Sequence, residues 1–168
     1  IDVAACEGKG MKVIPATGAN ALSVAEYVVG TAMVLLRGVY QSSAAVASGK
    51  WPRAALSSGR ETAGRTLGLV GFGSIGQLTA RLARALGMDV IAWSRSLTEE
   101  SAALYGVRRY ATPQEVAVRA DVLSVHLAET PETRGIVGES ILGAMKPGAV
   151  FLNTSRAGVV DGEALLRV

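Results

Sequence analysis

Three short stretches of this 168-residue chain hold groups that could do chemistry. The first is the run Gly71-Phe72-Gly73-Ser74-Ile75-Gly76. It follows the apolar, strand-like Thr66-Leu67-Gly68-Leu69-Val70 and opens a helix-like stretch over 77–86. In that order each glycine has a task. Gly71 allows a tight turn off a strand, and Gly73 lets backbone N–H groups approach a pyrophosphate. Gly76 lets the helix pack close to the sheet, so its positive N-terminus faces the bound negative charge. A glycine-rich turn without a ligand is the plain alternative, and the strand-before, helix-after context argues against it. The second stretch is Trp93-Ser94-Arg95-Ser96, about twenty residues further on. An acid at this strand tip would bind a ribose 2′-hydroxyl and repel a 2′-phosphate. A hydroxyl beside a guanidinium suits the phosphate instead, through a charge-assisted fork. The third holds Arg156, in Asn153-Thr154-Ser155-Arg156-Ala157-Gly158. An arginine beyond a strand end can grip a carboxylate with two bonds and polarise a neighbouring carbonyl; a surface ion pair is the alternative.

His126 is the one histidine, at the end of another apolar stretch. Its position invites the role of general acid, but a histidine hydrogen-bonded near a loop is the preferred reading. No Cys/His cluster has metal-ligand spacing, and no Gly-x-Ser-x-Gly nucleophile elbow occurs.

These groups need elements to hold them. From Gly64 onward, strand-like and helix-like stretches alternate, which predicts a parallel α/β sheet with crossover helices. Strands are expected at 66–70, 89–93, 107–110, 121–125 and 149–153. Helices are expected at 77–86, 99–105, 114–119 and 140–145, with Asp161 capping a last one. Upstream, residues 1–6 read as a short helix and 12–15 as a short strand. A long helix starts near Ser23, whose pairing with Glu26 fits a capping box. Its apolar residues, Leu22 through Leu36 with Val39, cover more than one face, as in a helix buried between two bodies. Residues 50–59 read as a loop.

Composition bounds the rest. Hydrophobic residues make up 49% and charged residues 18%, which is a globular balance. Net charge is +3, but the arginines are scattered and aromatics are only 5%, so no nucleic-acid surface is expected. Cys6, the single cysteine, fits a reducing compartment and reads as a small buried apolar residue. The longest apolar run, 27–36, is too short to span a membrane, and a cytoplasmic protein without membrane contact is expected.

Together these motifs resemble the D-isomer-specific 2-hydroxyacid dehydrogenases, the family of D-3-phosphoglycerate dehydrogenase and hydroxypyruvate reductase. The resemblance is carried by Gly18-Ala19-Asn20, Ser23-Val24-Ala25-Glu26, Gly49-Lys50-Trp51 and the glycine turn. It continues in Val125-His126-Leu127, Thr130-Pro131-Glu132-Thr133-Arg134-Gly135, Met145-Lys146-Pro147-Gly148 and Val159-Val160-Asp161. It implies a Rossmann-type doubly wound domain over 61–168, incomplete at its C-terminus. A remnant of the substrate-binding domain at 1–17 and an interdomain helix and loop at 18–60 would precede it.

By this resemblance Arg156 takes the catalytic arginine position. Ser74 and Ile75 sit at the pyrophosphate, Ser94 and Arg95 at the ribose, and Leu127, Thr154 and Ser155 on the nicotinamide side. His126 does not match the catalytic histidine, which the family supplies, with its acid partner, from segments beyond Val168. The implied activity is NAD(P)-dependent interconversion of a D-2-hydroxy acid and its 2-keto acid, with the chain inactive by itself; the Ser94-Arg95 pair, in place of an acidic tip, favours NADP over NAD. A homodimer through the long helix is implied. An NAD(H)-sensing, corepressor-like binding protein on the same fold is the alternative. Two features depart from, or subdivide, the family pattern. Ala128-Glu129 stands where Pro-Leu is common, which bears on contacts near the adenine. Residues 15–20 and Trp93-Ser94 look more like bacterial members acting on small or sulfonated 2-hydroxy acids.

Overall fold

Five parallel strands form the sheet around which the chain is built, in the order β3-β2-β1-β4-β5. The structure is a computed structural model. It describes the backbone of residues 1–168 and every side chain except those of Val39 and Gln41. The long helix stops at Arg37 and Val39 opens a separate 3-10 turn, Val39–Ser42, so Val39 does not extend that helix. The strands are β1 (Thr66–Val70), β2 (Asp89–Trp93), β3 (Arg108–Arg109), β4 (Val122–Val125) and β5 (Val150–Asn153). Before them come α1 (Val3–Gly8), α2 (Ala21–Arg37), α3 (Ser43–Ala47) and α4 (Arg53–Leu56). Between and after them lie α5 (Ser74–Ala85), α6 (Glu99–Leu104), α7 (Pro113–Arg119), α8 (Glu139–Leu142) and α9 (Gly162–Arg167).

Strand side chains alternate between two cores. Leu67, Leu69, Val90, Ala92 and Val122 face one side and pack with Val28, Val29, Ala32 and Leu36 of α2 and Ala80 and Ala83 of α5. Val70, Ile91, Leu123 and Val125 face the other and pack with Val116 and Ala117 of α7, Ile141 and Leu142 of α8 and Ala164 of α9. A sheet buried on both faces explains why β1, β2 and β4 are largely apolar rather than alternating. Gly68 serves this packing, because a Cβ there would lie 2.7 Å from Val116 Cγ1 and 2.9 Å from Ala120 Cβ.

Several helix starts follow local chemistry. Thr98 and Thr112 close capping boxes with Ser101 and Glu115. Asp161 accepts from Ala164 N–H at 3.1 Å, the cap expected of it. Ser23 does not cap α2. The helix begins two residues earlier, after Asn20, with no side-chain cap. Burial of Ala21 and Ala25 extends the helix past the local signal, and Ser23 and Glu26 are exposed on its first turns.

Other expectations are corrected. Residues 12–15 form no strand, because no neighbouring strand offers a ladder and Pro15 has no N–H to give one. Residues 50–59 contain the one-turn helix α4. Cys6 is half-buried rather than buried. The long helix is covered on one side only: Ala25, Val28 and Ala32 are buried, whereas Leu22, Tyr27 and Leu35 are at least half exposed.

Candidate functional site

The sheet order places the site. Strand order reverses at β1, with β2 on one side and β4 on the other, and this switch point opens a crevice at the carboxyl ends of the strands. The glycine turn lies there, between β1 and α5. Gly71 has φ +104°, a conformation open to glycine, and a Cβ on it would overlap the His126 carbonyl. At Gly76 a Cβ would lie 2.6 Å from the Gly71 carbonyl oxygen, so the first turn of α5 rests directly on the loop. Gly73 differs from both. It is extended, with φ −79° and ψ −162°, and a Cβ there would meet nothing within 4 Å. The space above Gly73 is open, and Gly73 offers no side-chain cap to the first N–H groups of α5. Open space beside uncapped N–H donors is the cradle that a pyrophosphate requires.

The turn is braced from behind. The Phe72 ring meets the Tyr105 ring edge-on at 5.4 Å. The Tyr105 hydroxyl donates to Gln77 Oε1 at 2.9 Å, and Gln77 Nε2 donates to the Phe72 carbonyl at 3.4 Å.

On one side of the turn is a cavity of about 280 Å³ between the ends of β2 and β4. Gly71, Gly73, Ser94, Arg95, His126, Leu127 and Glu132 are among its walls. The expected ribose pair, Ser94 and Arg95, therefore lines the same cavity as the glycine turn. Sequence reasoning assigned no role to Glu132, which lines it too. Its pKa is lowered by hydrogen bonding from Thr130 first, then by its own backbone and the nearby Arg95 charge. An acid does face this cavity, from the loop after β4 rather than from the tip of β2.

On the other side is a larger cleft of about 970 Å³. Ile75, Leu127, Thr154, Ser155 and Arg156 line it, with Asn20 and Val24 from the start of α2. His126, Leu127 and Ala128 are walls of both spaces. Arg156 is exposed; its guanidinium reaches back to the Ser155 carbonyl at 3.0 Å. Glu129 lines this cleft rather than the Arg95 cavity, and pairs with Arg134 at 2.6 Å. Its carboxylate lies over Gly158, where a Cβ would overlap it. The Ala128-Glu129 departure thus concerns the Arg156 side more than the adenosine side. The motif 130–135 signalled this loop, but its proximity to Arg156 is a long-range fact.

The loop after β4 is tied down. The Thr133 hydroxyl donates to the Ala128 carbonyl at 2.6 Å and accepts from Thr130 N–H at 2.8 Å. Ser155 bridges two strand ends: its hydroxyl donates to the Val125 carbonyl at 2.9 Å and accepts from Leu127 N–H at 3.0 Å. That hydroxyl is committed to holding Leu127 in place, so Ser155 bears on the cleft chiefly through position. His126 is held by Ser124 at 3.0 Å on Nε2 and by Thr154 at 3.4 Å on Nδ1. Burial pushes its pKa down to about 4, so it is neutral at physiological pH. This is a hydrogen-bonded histidine near the loop, as the preferred reading had it. Among the described residues no group of three His, Cys, Asp or Glu could hold a metal ion, and no helix is long and apolar enough to cross a membrane.

Known proteins share this arrangement. The model of the D-isomer specific 2-hydroxyacid dehydrogenase NAD-binding domain matches residues 29–168. (S)-Sulfolactate dehydrogenase from Chromohalobacter salexigens is 44% identical over 98% of this chain and 53% of its own length. Hydroxypyruvate reductase from Thermotoga maritima is 37% identical over 98% of this chain and 52% of its own. The apo structure of D-lactate dehydrogenase from Escherichia coli superposes with a TM-score of 0.84 at 28% identity, over 99% of this chain and 52% of that one. The chain therefore spans about half the length of these relatives.

Proposed function

Because this chain belongs to the D-isomer specific 2-hydroxyacid dehydrogenase family, through its NAD-binding domain, we propose that it is the cofactor-binding part of an enzyme interconverting a D-2-hydroxy acid and its 2-keto acid. The observation that carries the reading is the shared wall: Leu127 and His126 join the cavity holding Arg95 to the cleft holding Arg156, with the glycine turn between. A dinucleotide laid across the turn spans both. Gly71, Gly73 and Gly76 with the N–H groups of Ser74 and Ile75 hold its pyrophosphate, and Ser94 and Arg95 hold the adenosine ribose. Leu127, Thr154 and Ser155 shape the nicotinamide side. When bound, the nicotinamide supplies or accepts the hydride.

Arg156 grips the substrate carboxylate and polarises the carbonyl beside it, because its planar fork matches a carboxylate. His126, neutral and bonded on both ring nitrogens, orients the walls rather than moving a proton. The substrate class is a small 2-hydroxy or 2-keto acid. Residues 1–17 form a remnant of the substrate domain, 18–60 the interdomain segment and 61–168 the nucleotide domain. The single cysteine fits a cytoplasmic setting. The apolar side of α2 left open here joins two copies in a homodimer.

NADP is placed ahead of NAD because Ser94 and Arg95, not an acid, stand at the tip of β2. Glu132, on the same cavity, limits the preference by opposing the Arg95 charge. Fluorescence titration of the chain with NADH and NADPH tests both levels. NADPH is expected to bind more tightly, and Arg95→Asp to weaken it by about tenfold or more, the worth of a charge-assisted phosphate fork. Tighter binding of NADH by the unaltered chain overturns the preference. Binding of neither overturns the cofactor role itself.

A further inference from the structure

At the opposite end of β2 from Arg95, a second cleft of about 510 Å³ opens at the amino ends of the strands. Arg84, Arg108 and Arg119 all line it, with Tyr110, Thr66 and one acid, Asp89. They arrive from three elements: the last turn of α5, the edge strand β3 and the last turn of α7. Among the described residues none of the three has a carboxylate within ion-pair distance, whereas the neighbouring Arg109 pairs with Glu99 at 3.4 Å.

Helix dipoles account for part of this. A positive charge is favoured in the last turn of a helix, which explains Arg84 and Arg119 separately. It does not explain Arg108, nor why all three meet in one concave space with a single counter-charge. Arg108 is hydrogen-bonded to Tyr110 and attracted to Asp89, whereas Arg84 and Arg119 have no such counter-charge among the described residues, so the cleft holds more positive than negative charge and a multivalent anion supplies the difference.

Two of the guanidiniums are also held in position. Arg84 donates to the Tyr105 carbonyl at 3.0 Å and packs over Gly106, where a Cβ would overlap it. Gly106 has φ +61°, so both its conformation and the space beside it favour glycine. Arg119 donates to the Glu115 carbonyl at 2.8 Å and lies over the Tyr110 ring at 4.7 Å. Each guanidinium has five N–H donors and spends only one in these bonds, so pre-positioned donors remain.

We propose that this cleft is a binding site for a small multivalent oxyanion, held by Arg84, Arg108 and Arg119 on the side of the sheet away from the dinucleotide crevice. Arginine forks suit phosphate and carboxylate alike, so the ligand is a compact molecule bearing two or more such groups. The site is independent of the dehydrogenase reading, because it shares no residue with the glycine turn, the Arg95 cavity or the Arg156 cleft.

Isothermal titration of the 168-residue chain with tripolyphosphate, and separately with citrate, tests it. Whichever probe binds identifies phosphate or carboxylate as the preferred group. Combined Arg108→Gln and Arg119→Gln is expected to weaken binding by about tenfold or more. Asp89→Asn, which removes the one opposing charge, is expected to tighten it; this gain cannot come from misfolding. Gly73→Ala, which fills the pyrophosphate space at the other end of the sheet, is expected to leave it unchanged. The proposal is overturned if neither probe binds, if the Asp89 variant binds no more tightly, or if Gly73→Ala abolishes binding while the arginine variant retains it.

Discussion

His126 illustrates how one buried side chain ties the site to stability. Its pKa is pushed down to about 4 by burial, against an ordinary value of 6.5. The unfolded chain therefore takes up a proton at a higher pH than the folded chain does. Stability from this group is complete above the ordinary value and is lost as pH falls from there toward about 4. The difference corresponds to about 3 kcal/mol across that window. Urea unfolding at several pH values checks it: the unaltered chain should lose about that much more stability than His126→Gln between neutral pH and pH ~4. Parallel pH profiles for the two proteins would remove His126 as the titrating group. Ser155 and Glu132 add a related lesson. Both stand in stretches that the sequence marks as functional, yet Ser155 spends its hydroxyl on Val125 and Leu127, and Glu132 faces Arg95 from a different loop. Such roles depend on partners 28 or more residues away, which residue type and spacing do not specify.

At the scale of the element, the turn between β1 and α5 separates what holds the fold from what holds a ligand. In Gly76→Ala the new methyl would lie 2.6 Å from the Gly71 carbonyl. Alanine normally favours a helix over glycine by about 1 kcal/mol. Overlap with a backbone oxygen outweighs that, so a net loss of roughly 1–3 kcal/mol is expected. Gly73→Ala has open space and an extended backbone, so stability should change by less than about 1 kcal/mol. Its methyl nevertheless enters the pyrophosphate space and should weaken NADPH. Thermal melts with cofactor titrations of both variants distinguish the cases; loss of binding without loss of stability is expected only for Gly73→Ala. Most of this element is legible in the sequence, because a strand, a turn and a helix N-terminus are all local patterns. The start of α2 is less so. Its Ser23–Glu26 signal is real chemistry, but burying Ala21 and Ala25 outweighs one cap, and the helix begins at Ala21. The missing strand at 12–15 fails for the opposite reason, since a strand exists only where another chain segment pairs with it.

For the molecule as a whole, the unresolved balance is the open side of α2. Leu22, Tyr27, Met33 and Leu35 stand exposed on a helix whose other side is sealed against α5 and β5. An apolar face of this kind favours association. Size-exclusion chromatography with light scattering should give a dimer, shifted toward monomer by Leu35→Glu combined with Tyr27→Ser. A monomer at high concentration for the unaltered chain would count against the proposed dimer.

What the sequence determined by itself is the alternation of strands and helices, the glycine turn and the identity of the candidate ligand groups, all of which are encoded within a few neighbouring residues. Only the tertiary structure brought Arg95 and Glu132 to one cavity, Arg156 and Glu129 to one cleft, and Arg84, Arg108 and Arg119 to the far edge. The physical reason is strand order. With β1 between β2 and β4, segments distant along the chain end side by side, and the sheet's two edges become two separate surfaces.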